Sequence, residues 1–257
     1  MSRKLSEILH YFKSNTSKKG IATYQKKKMR KSSLLESSSG LEYETPVQSS
    51  ETERTEKSHV LLLDLDETII RSSKQKPTIP DYGEAKPVTY NDNEETCQVY
   101  VILRPFLKEL LAEVSEKFKI YIYTASTAEY AEACVRSLEL SSYLSGIFSR
   151  NDCKKTGENS FEKDIFSFGF DEKKLVFVDD WKSQTTHAPE NSINIKFFSG
   201  RRSDNELLSL KDFLVDLSKE ADVRCVADKF EKYRGKNSVS CSRDIGGITM
   251  LRQKLVA

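Results

Sequence analysis

"HVLLLDLDETII", residues 59–70, drives an apolar run straight into Asp64, Asp66 and Glu67. Burying charge without a partner is costly. Either the run ends there and the acids reach water, or they converge on something that needs negative charge. Its shortness, aliphatic character and lack of alternation mark a β-strand buried on both faces.

Three more runs share that character: "VYVIL" (99–103), "KIYIYT" (119–124) and "KLVFVDD" (174–180). Helical patterns lie between and after them. "RPFLKELLAEVSEKF" has Pro105 at a plausible first turn and Phe106, Leu110, Leu111 and Val114 on one face. "STAEYAEACVRSLEL" offers Ser126 as its N-cap, and "SDNELLSLKDFLVDLSKEA" offers Ser203 or Asp204. "DVRCVADKFEKY" closes the series. Strands alternating with helices predict an α/β fold with a central parallel sheet flanked by helices.

Three of the four strand-like runs end in groups that chemistry can use: Asp64 and Asp66, then Thr124, then Asp179 and Asp180. In an open parallel sheet, ligands bind outside the carboxyl ends of the strands, so these endings are expected to meet in one crevice. Residues i and i+2 of a strand point the same way, which lets Asp64 and Asp66 face one substrate while Leu65 turns inward. Four gathered carboxylates repel unless a cation joins them, most simply Mg²⁺. With a phosphate held there, Asp64 is a credible nucleophile forming an aspartyl-phosphate, and Asp66 a proton donor and acceptor. Thr124 supplies a hydroxyl for phosphoryl oxygens, and a lysine is expected to neutralise their charge. An EF-hand loop is excluded, because the required Gly and distal Glu are missing. A nucleotide-sugar D-x-D site does not call for Thr124 or Asp179/Asp180. A receiver domain places its acid pair before the phosphorylated Asp, the reverse of this order.

Charged residues make up 31% of the 257 and the mean hydropathy is −0.56, the composition of a soluble, polar chain. Cys97, Cys134, Cys153, Cys225 and Cys241 are scattered without a C-x-x-C pair, and so are His10, His59 and His187. That spacing argues against a zinc site or a disulfide framework and fits a reducing, intracellular compartment, nucleus or cytoplasm. No apolar run is long enough to span a membrane, and the start lacks a secretory signal's apolar core. Residues 1–31 hold ten Lys/Arg against one acid, a charge of +9; the whole chain is +2, so the remainder carries −7. The basic charge is a tail property, and "QKKKMRK" reads as a nuclear-import or anionic-surface patch. Residues 1–57 are polar and Ser-rich, which predicts a disordered tail. The expected domain runs over 58–235, with a second tail at 236–257.

These residues resemble a family. "LLLDLDETII" is similar to the nucleophile motif of the haloacid-dehalogenase (HAD) superfamily, and more narrowly to phosphatases acting on the C-terminal repeats of RNA polymerase II and their small relatives. The resemblance continues through "VYVILRPFLKELL", "IYIYTASTAEYA", "FEKDI", "LVFVDDWKSQ" and "APENSINIKFFSGRRSDNELLSLKDFLVDLS", about residues 58–233 in all. It implies a Rossmann-like HAD fold with a small insert after the first motif and no large cap. It further implies Asp64 as nucleophile and metal ligand, and Asp66 as general acid/base with its carbonyl on the metal. Thr68 would steady the nucleophile loop, Thr124 and Lys163 would bind phosphate, and Asp179 and Asp180 would complete the Mg²⁺ site. Lys154, Lys155, Lys173 and Lys174 also lie near the lysine position. The larger enzymes of the family have two acids where Asp179-Asp180 stands, and the small ones Asp-Asn. Lys74 and Thr127 stand where the small enzymes carry an aromatic and a leucine, so the grip on substrate differs while the chemistry does not.

The expectation is a Mg²⁺-dependent phosphoprotein phosphatase acting on phosphoserine or phosphothreonine, with polymerase repeats among the implied substrates. A monomer is expected, with no direct nucleic-acid binding by the core. Two alternatives stay open: a HAD-fold protein-binding module like certain import receptors, and a small-molecule phosphatase. The insert of 28 residues, 71–98, is short for a large cap and favours a polymer substrate.

Overall fold

The computed structural model describes residues 58–92 and 95–235; both expected tails lie outside the described residues. The strands, in chain order, begin with β1 (His59–Leu63), β2 (Ile70–Ser73), β3 (Ala85–Asp92) and β4 (Glu95–Leu103). Helix α1 (Leu107–Val114), β5 (Phe118–Tyr123), α2 (Ala128–Ser137) and β6 (Gly146–Phe148) follow. A two-residue pair, β7 (Lys154–Lys155) and β8 (Phe161–Glu162), precedes β9 (Leu175–Asp179) and the one-turn α3 (Lys182–Thr185). Then come β10 (Ser192–Asn194), α4 (Glu206–Leu217) and a closing helix over 226–235.

Five strands form one all-parallel sheet in the order β10-β9-β1-β5-β6. All five residues of β1 are buried, as the unbroken apolar run requires of a central strand. Its side chains alternate between two cores. Leu61 and Leu63 join a large one with Ile120, Ile122, Val176 and Val178, covered by α1, α2, α4 and the closing helix. Val60 and Leu62 join a smaller one with Tyr123, Leu175, Phe177, Ile165 and Ala188. The second face is thus covered mainly by an aromatic segment around 161–170 in place of long helices, with Phe148 and Phe168 stacked at 3.8 Å.

"VYVIL" departs from expectation. It belongs to a separate three-stranded antiparallel sheet, β2-β4-β3, built by the insert. That sheet alternates as a one-sided sheet should: Val88, Tyr90, Val99 and Val101 enter the large core while Lys86, Thr89 and Gln98 face out. The insert therefore extends the same core and forms no independent cap. Its loop is tied down by Gly83 N–H to the Gly200 carbonyl (2.9 Å) and Arg202 N–H to the Asp81 carbonyl (2.9 Å). Gly200 takes φ +96, and a Cβ there would sit 3.1 Å from the Tyr82 ring.

The helix boundaries also correct the sequence reading. Leu107, Leu110, Leu111 and Val114 form the buried stripe of α1, whereas Phe106 precedes the helix at φ 65 and is 37% exposed. Pro105 sits in the turn before it. Helix α2 starts after Thr127, so Ser126 is no N-cap, and α4 starts after Asn205. Asp204 still contributes at that end by accepting the Glu206 N–H at 3.1 Å. Among the described residues no helix is long and apolar enough to cross a membrane.

Candidate active site

Strand order reverses at β1, which lies between β5 and β9, so the crevice opens where those three strands end. Asp64 follows β1, its N–H extending the ladder to the Val178 carbonyl at 2.9 Å. Thr124 follows β5 and Asp179 ends β9. A tight loop then returns the chain to β2: Ile69 and Ile70 N–H both reach the Leu65 carbonyl, and Glu67 adopts φ 66. Leu65 is fully buried, as the alternation predicts.

Lys163 stands at the centre. Its ammonium is 2.5 Å from Asp64 Oδ1 and 2.6 Å from Asp179 Oδ2, and all three side chains are buried. Lys163 leaves the β7–β8 pair, and Gln184 of α3 holds that backbone in place. The Gln184 Oε1 accepts the Lys163 N–H at 2.8 Å, and its Nε2 donates to the Phe161 carbonyl at 2.9 Å. The competing lysines lie elsewhere. Lys154 and Lys155 are exposed, Lys174 contacts His59 and the Glu220 carbonyl, and the Lys173 carbonyl accepts the Val223 N–H. Burial alone depresses the Lys163 pKa, but Asp179 and Asp64 together outweigh it and hold the ammonium above the ordinary lysine range.

Asp64, Asp179 and Asp180 offer carboxylate oxygens that all lie within 4.8 Å of one another. Burial raises the Asp64 carboxyl, Asp179 adds to the rise, and Lys163 opposes it. Burial and then Asp179 push Asp180 up to about 6. Three carboxylates against one ammonium leave an excess of negative charge, which fits a hard divalent cation with oxygen ligands. Asp180 is oriented by Thr68, whose hydroxyl donates to Asp180 Oδ1 at 2.9 Å and accepts the Asp180 N–H at 3.1 Å. The Trp181 N–H fixes Asp179 through Oδ1 at 2.7 Å.

Asp66 is oriented separately. Its Oδ1 accepts from Tyr130 Oη at 2.6 Å and its Oδ2 from Ser126 Oγ at 2.7 Å. The Thr124 hydroxyl accepts the Ser126 N–H at 3.0 Å. Glu67 is not simply solvated: it pairs with Arg71, and burial, opposed by Arg71, raises it to about 7.

Sequence reasoning missed Tyr130 and gave Ser126 the wrong task. It also took "RPFLKELLAEVSEKF" as a helical pattern and gave Arg104 no role of its own. Arg104 is 1% exposed, donates to both Asp204 oxygens at 2.8 and 2.9 Å, and reaches the Thr68 carbonyl at 2.8 Å. The signal was present, since "VYVILR" ends an apolar run in charge just as "HVLLLD" does. Cys153 lies beside the site, with Sγ 3.6 Å from the Thr124 carbonyl, and burial pushes its thiol up to about 11.

The family model described as NLI interacting factor-like phosphatase matches residues 59–224, which include every side chain named above as part of the site. The chain belongs to this family. These NLI interacting factor-like phosphatases are HAD-type proteins resembling the phosphatases of the polymerase C-terminal domain. The chain is 37% identical over 169 residues to a probable C-terminal domain small phosphatase of Dictyostelium discoideum, covering 66% of this chain and 54% of that protein. It is 30% identical over 172 residues to carboxy-terminal domain RNA polymerase II polypeptide A small phosphatase 2 of Mus musculus, covering 67% and 62%. The NLI interacting factor-like chain therefore spans less than two thirds of either relative's length. The solved structure of Fcp1, an essential RNA polymerase II CTD phosphatase, superimposes with a TM-score of 0.53 at 19% identity, covering 74% of this chain and 67% of that one. That likeness shows the fold: a central parallel sheet flanked by helices.

Proposed function

We propose that residues 58–235 form a Mg²⁺-dependent phosphoprotein phosphatase that hydrolyses phosphoserine or phosphothreonine through a phosphorylated Asp64. One observation carries the reading: a buried ammonium, Lys163, bridges Asp64 and Asp179 beside Asp180 at the switch point of the sheet. With Oδ1 held by Lys163, Asp64 attacks phosphorus through its other oxygen. Lys163 is placed to take up the negative charge of the transferring phosphoryl group. The Thr124 hydroxyl and the nearby N–H groups bind oxygens of the phosphoryl group being transferred. Asp66 gives a proton to the departing oxygen and later removes one from the attacking water.

Asp64, Asp179, Asp180 and the Asp66 carbonyl would hold Mg²⁺, which when bound supplies charge neutralisation to the nucleophile and the phosphate. Thr68 keeps Asp180 turned toward that position. The relatives' names point to the polymerase C-terminal domain as a substrate class, and an insert that joins the core instead of forming an independent cap favours a polymer chain as substrate. Partners are thus phosphoproteins or phosphopeptides.

Hydrolysis of 4-nitrophenyl phosphate tests the chemistry. Turnover is expected with Mg²⁺, to stop in excess chelator, and to vanish in Asp64→Asn. Unchanged rates under either condition refute the mechanism. A phosphopeptide panel comparing polymerase repeats with unrelated sequences then tests the substrate class, and a preference for small phosphorylated metabolites refutes it.

A further inference from the structure

We propose that Ser126 and Tyr130 are positioning residues that hold Asp66 ready to protonate the leaving oxygen, and that they do so under the hand of the insert sheet. The inference rests on the phosphatase reading above and adds to it. Both carboxylate oxygens of Asp66 are claimed by neutral hydroxyls, Tyr130 at 2.6 Å and Ser126 at 2.7 Å. The Tyr130 ring is 3% exposed and packs edge-on against Tyr90 of β3, centroids 5.3 Å apart. Two hydroxyls therefore fix the plane of one carboxyl group, and the insert sheet braces one of them through the Tyr90 ring.

The alternative partner for Asp66 is Lys163, which attracts it electrostatically. A carboxylate that swung to the ammonium would join the Asp64–Lys163–Asp179 cluster and be turned away from the leaving oxygen. Hydroxyls avoid this and have a second advantage. They both donate and accept, so the same contacts persist whether Asp66 carries the proton or has passed it on. Ser126 also ties this arrangement to the phosphate side, because its N–H donates to Thr124 Oγ1 at 3.0 Å. One residue thus sets the spacing between the phosphate-binding hydroxyl and the proton donor.

In the step concerned, an Asp64 oxygen bonds to phosphorus while the bond from phosphorus to the seryl oxygen breaks. The Asp66 proton passes to that oxygen, leaving neutral serine, phosphorylated Asp64 and an Asp66 carboxylate. The carboxylate then takes a proton from the water that attacks phosphorus, releasing inorganic phosphate and restoring Asp64. An alkoxide leaves poorly without the proton, whereas 4-nitrophenolate leaves well without it, so misplacing Asp66 has unequal effects.

The test is kcat/KM, which reports steps through departure of the leaving group, measured on a phosphoserine peptide and on 4-nitrophenyl phosphate. Tyr130→Phe and Ser126→Ala are each expected to lower the peptide value about tenfold or more while the aryl value changes less than about twofold. Asp66→Asn shows the same split, larger, and Ser126→Thr restores the peptide value by returning a hydroxyl. Equal losses on both substrates, or an unchanged ratio, overturn the inference. Ser126→Ala and Ser126→Thr keep the backbone contact to Thr124, so this pair decides the matter even if Tyr130→Phe folds poorly. A wild-type chain that hydrolyses neither substrate defeats the phosphatase reading itself. An active wild type with the split in Asp66→Asn but not in the hydroxyl variants defeats only this inference.

Discussion

The Lys163 ammonium lies 2.5 Å from Asp64 Oδ1, although 99 residues of chain separate the two, and the same nitrogen reaches Asp179. Removing the cation leaves two buried carboxylates facing each other and a transferring phosphoryl group without its nearest positive charge. Lys163→Met is expected to lower kcat toward 4-nitrophenyl phosphate about 10²–10³-fold. Lys163→Arg does not rescue it, since the planar guanidinium cannot replace a point charge between two carboxylates in a closed space. Steady-state kinetics beside a thermal unfolding scan measure this, and a variant within a fewfold of wild type refutes it.

Arg104 acts on stability. Its guanidinium is buried, bidentate to Asp204, bonded to the Thr68 carbonyl, and 5.3 Å from the Phe198 ring. Removing Arg104 strands the partly buried Asp204 carboxylate and takes a donor from the Thr68 carbonyl, so Arg104→Met is expected to cost about 1–3 kcal/mol. Urea unfolding measures it. Because Thr68 also holds Asp180, a milder variant, Asp204→Asn, is expected to raise the Mg²⁺ concentration needed for half-maximal turnover before it unfolds the chain. A loss under about 1 kcal/mol in Arg104→Met would contradict this account of the pair.

Cys153 is close enough to the crevice to invite a thiol mechanism. Burial pushes its thiol up to about 11, so at neutral pH it is protonated and a poor nucleophile. Cys153→Ser is expected to keep turnover within about twofold, and iodoacetamide to modify Cys153 slowly in the native state. Rapid modification accompanied by loss of activity would reverse the conclusion.

His59 predicts a pH dependence of stability. Burial is the largest influence and lowers its pKa from 6.5; the Glu220 carbonyl opposes this, and Lys174 adds to the lowering. The folded chain prefers the neutral ring, so the unfolded chain takes up a proton first as pH falls. The contribution is fully present above the unfolded value near 6.5 and is lost as pH drops through the folded value below it. The stability difference between wild type and His59→Gln is therefore expected to shrink as pH falls from about 7.5 to about 5. A constant difference across that range refutes it.

Much of the architecture was readable in local pattern. "HVLLL" had to be a doubly buried strand, because an unbroken aliphatic run has no face to offer water. Asp64, Thr124 and Asp179 had to share one end of a sheet, because parallel strands all point the same way. "VYVIL" was misread for a related reason: period and composition do not say which sheet a buried strand joins. Only its antiparallel pairing with β2 and β3 settles that, through contacts made by the insert on both sides of it.

The roles of individual polar groups were legible only where a strand end announced them. Asp64, Asp66, Asp179 and Asp180 stood out as charge after apolar runs, and their convergence followed from topology. Tyr130 and Ser126 carried no such mark, since a tyrosine within an amphipathic helix looks like core and a serine before one looks like a cap. Their hydroxyls meet Asp66 because α2 packs beside the β1 loop, at a separation of 60 and 64 residues. The choice of Lys163 over four neighbouring lysines was likewise made in three dimensions, where Gln184 holds its backbone. Local sequence sets strand and helix because those depend on near neighbours and burial. A buried carboxyl's partners depend on which distant segments fill the space around it, and that is decided by tertiary packing.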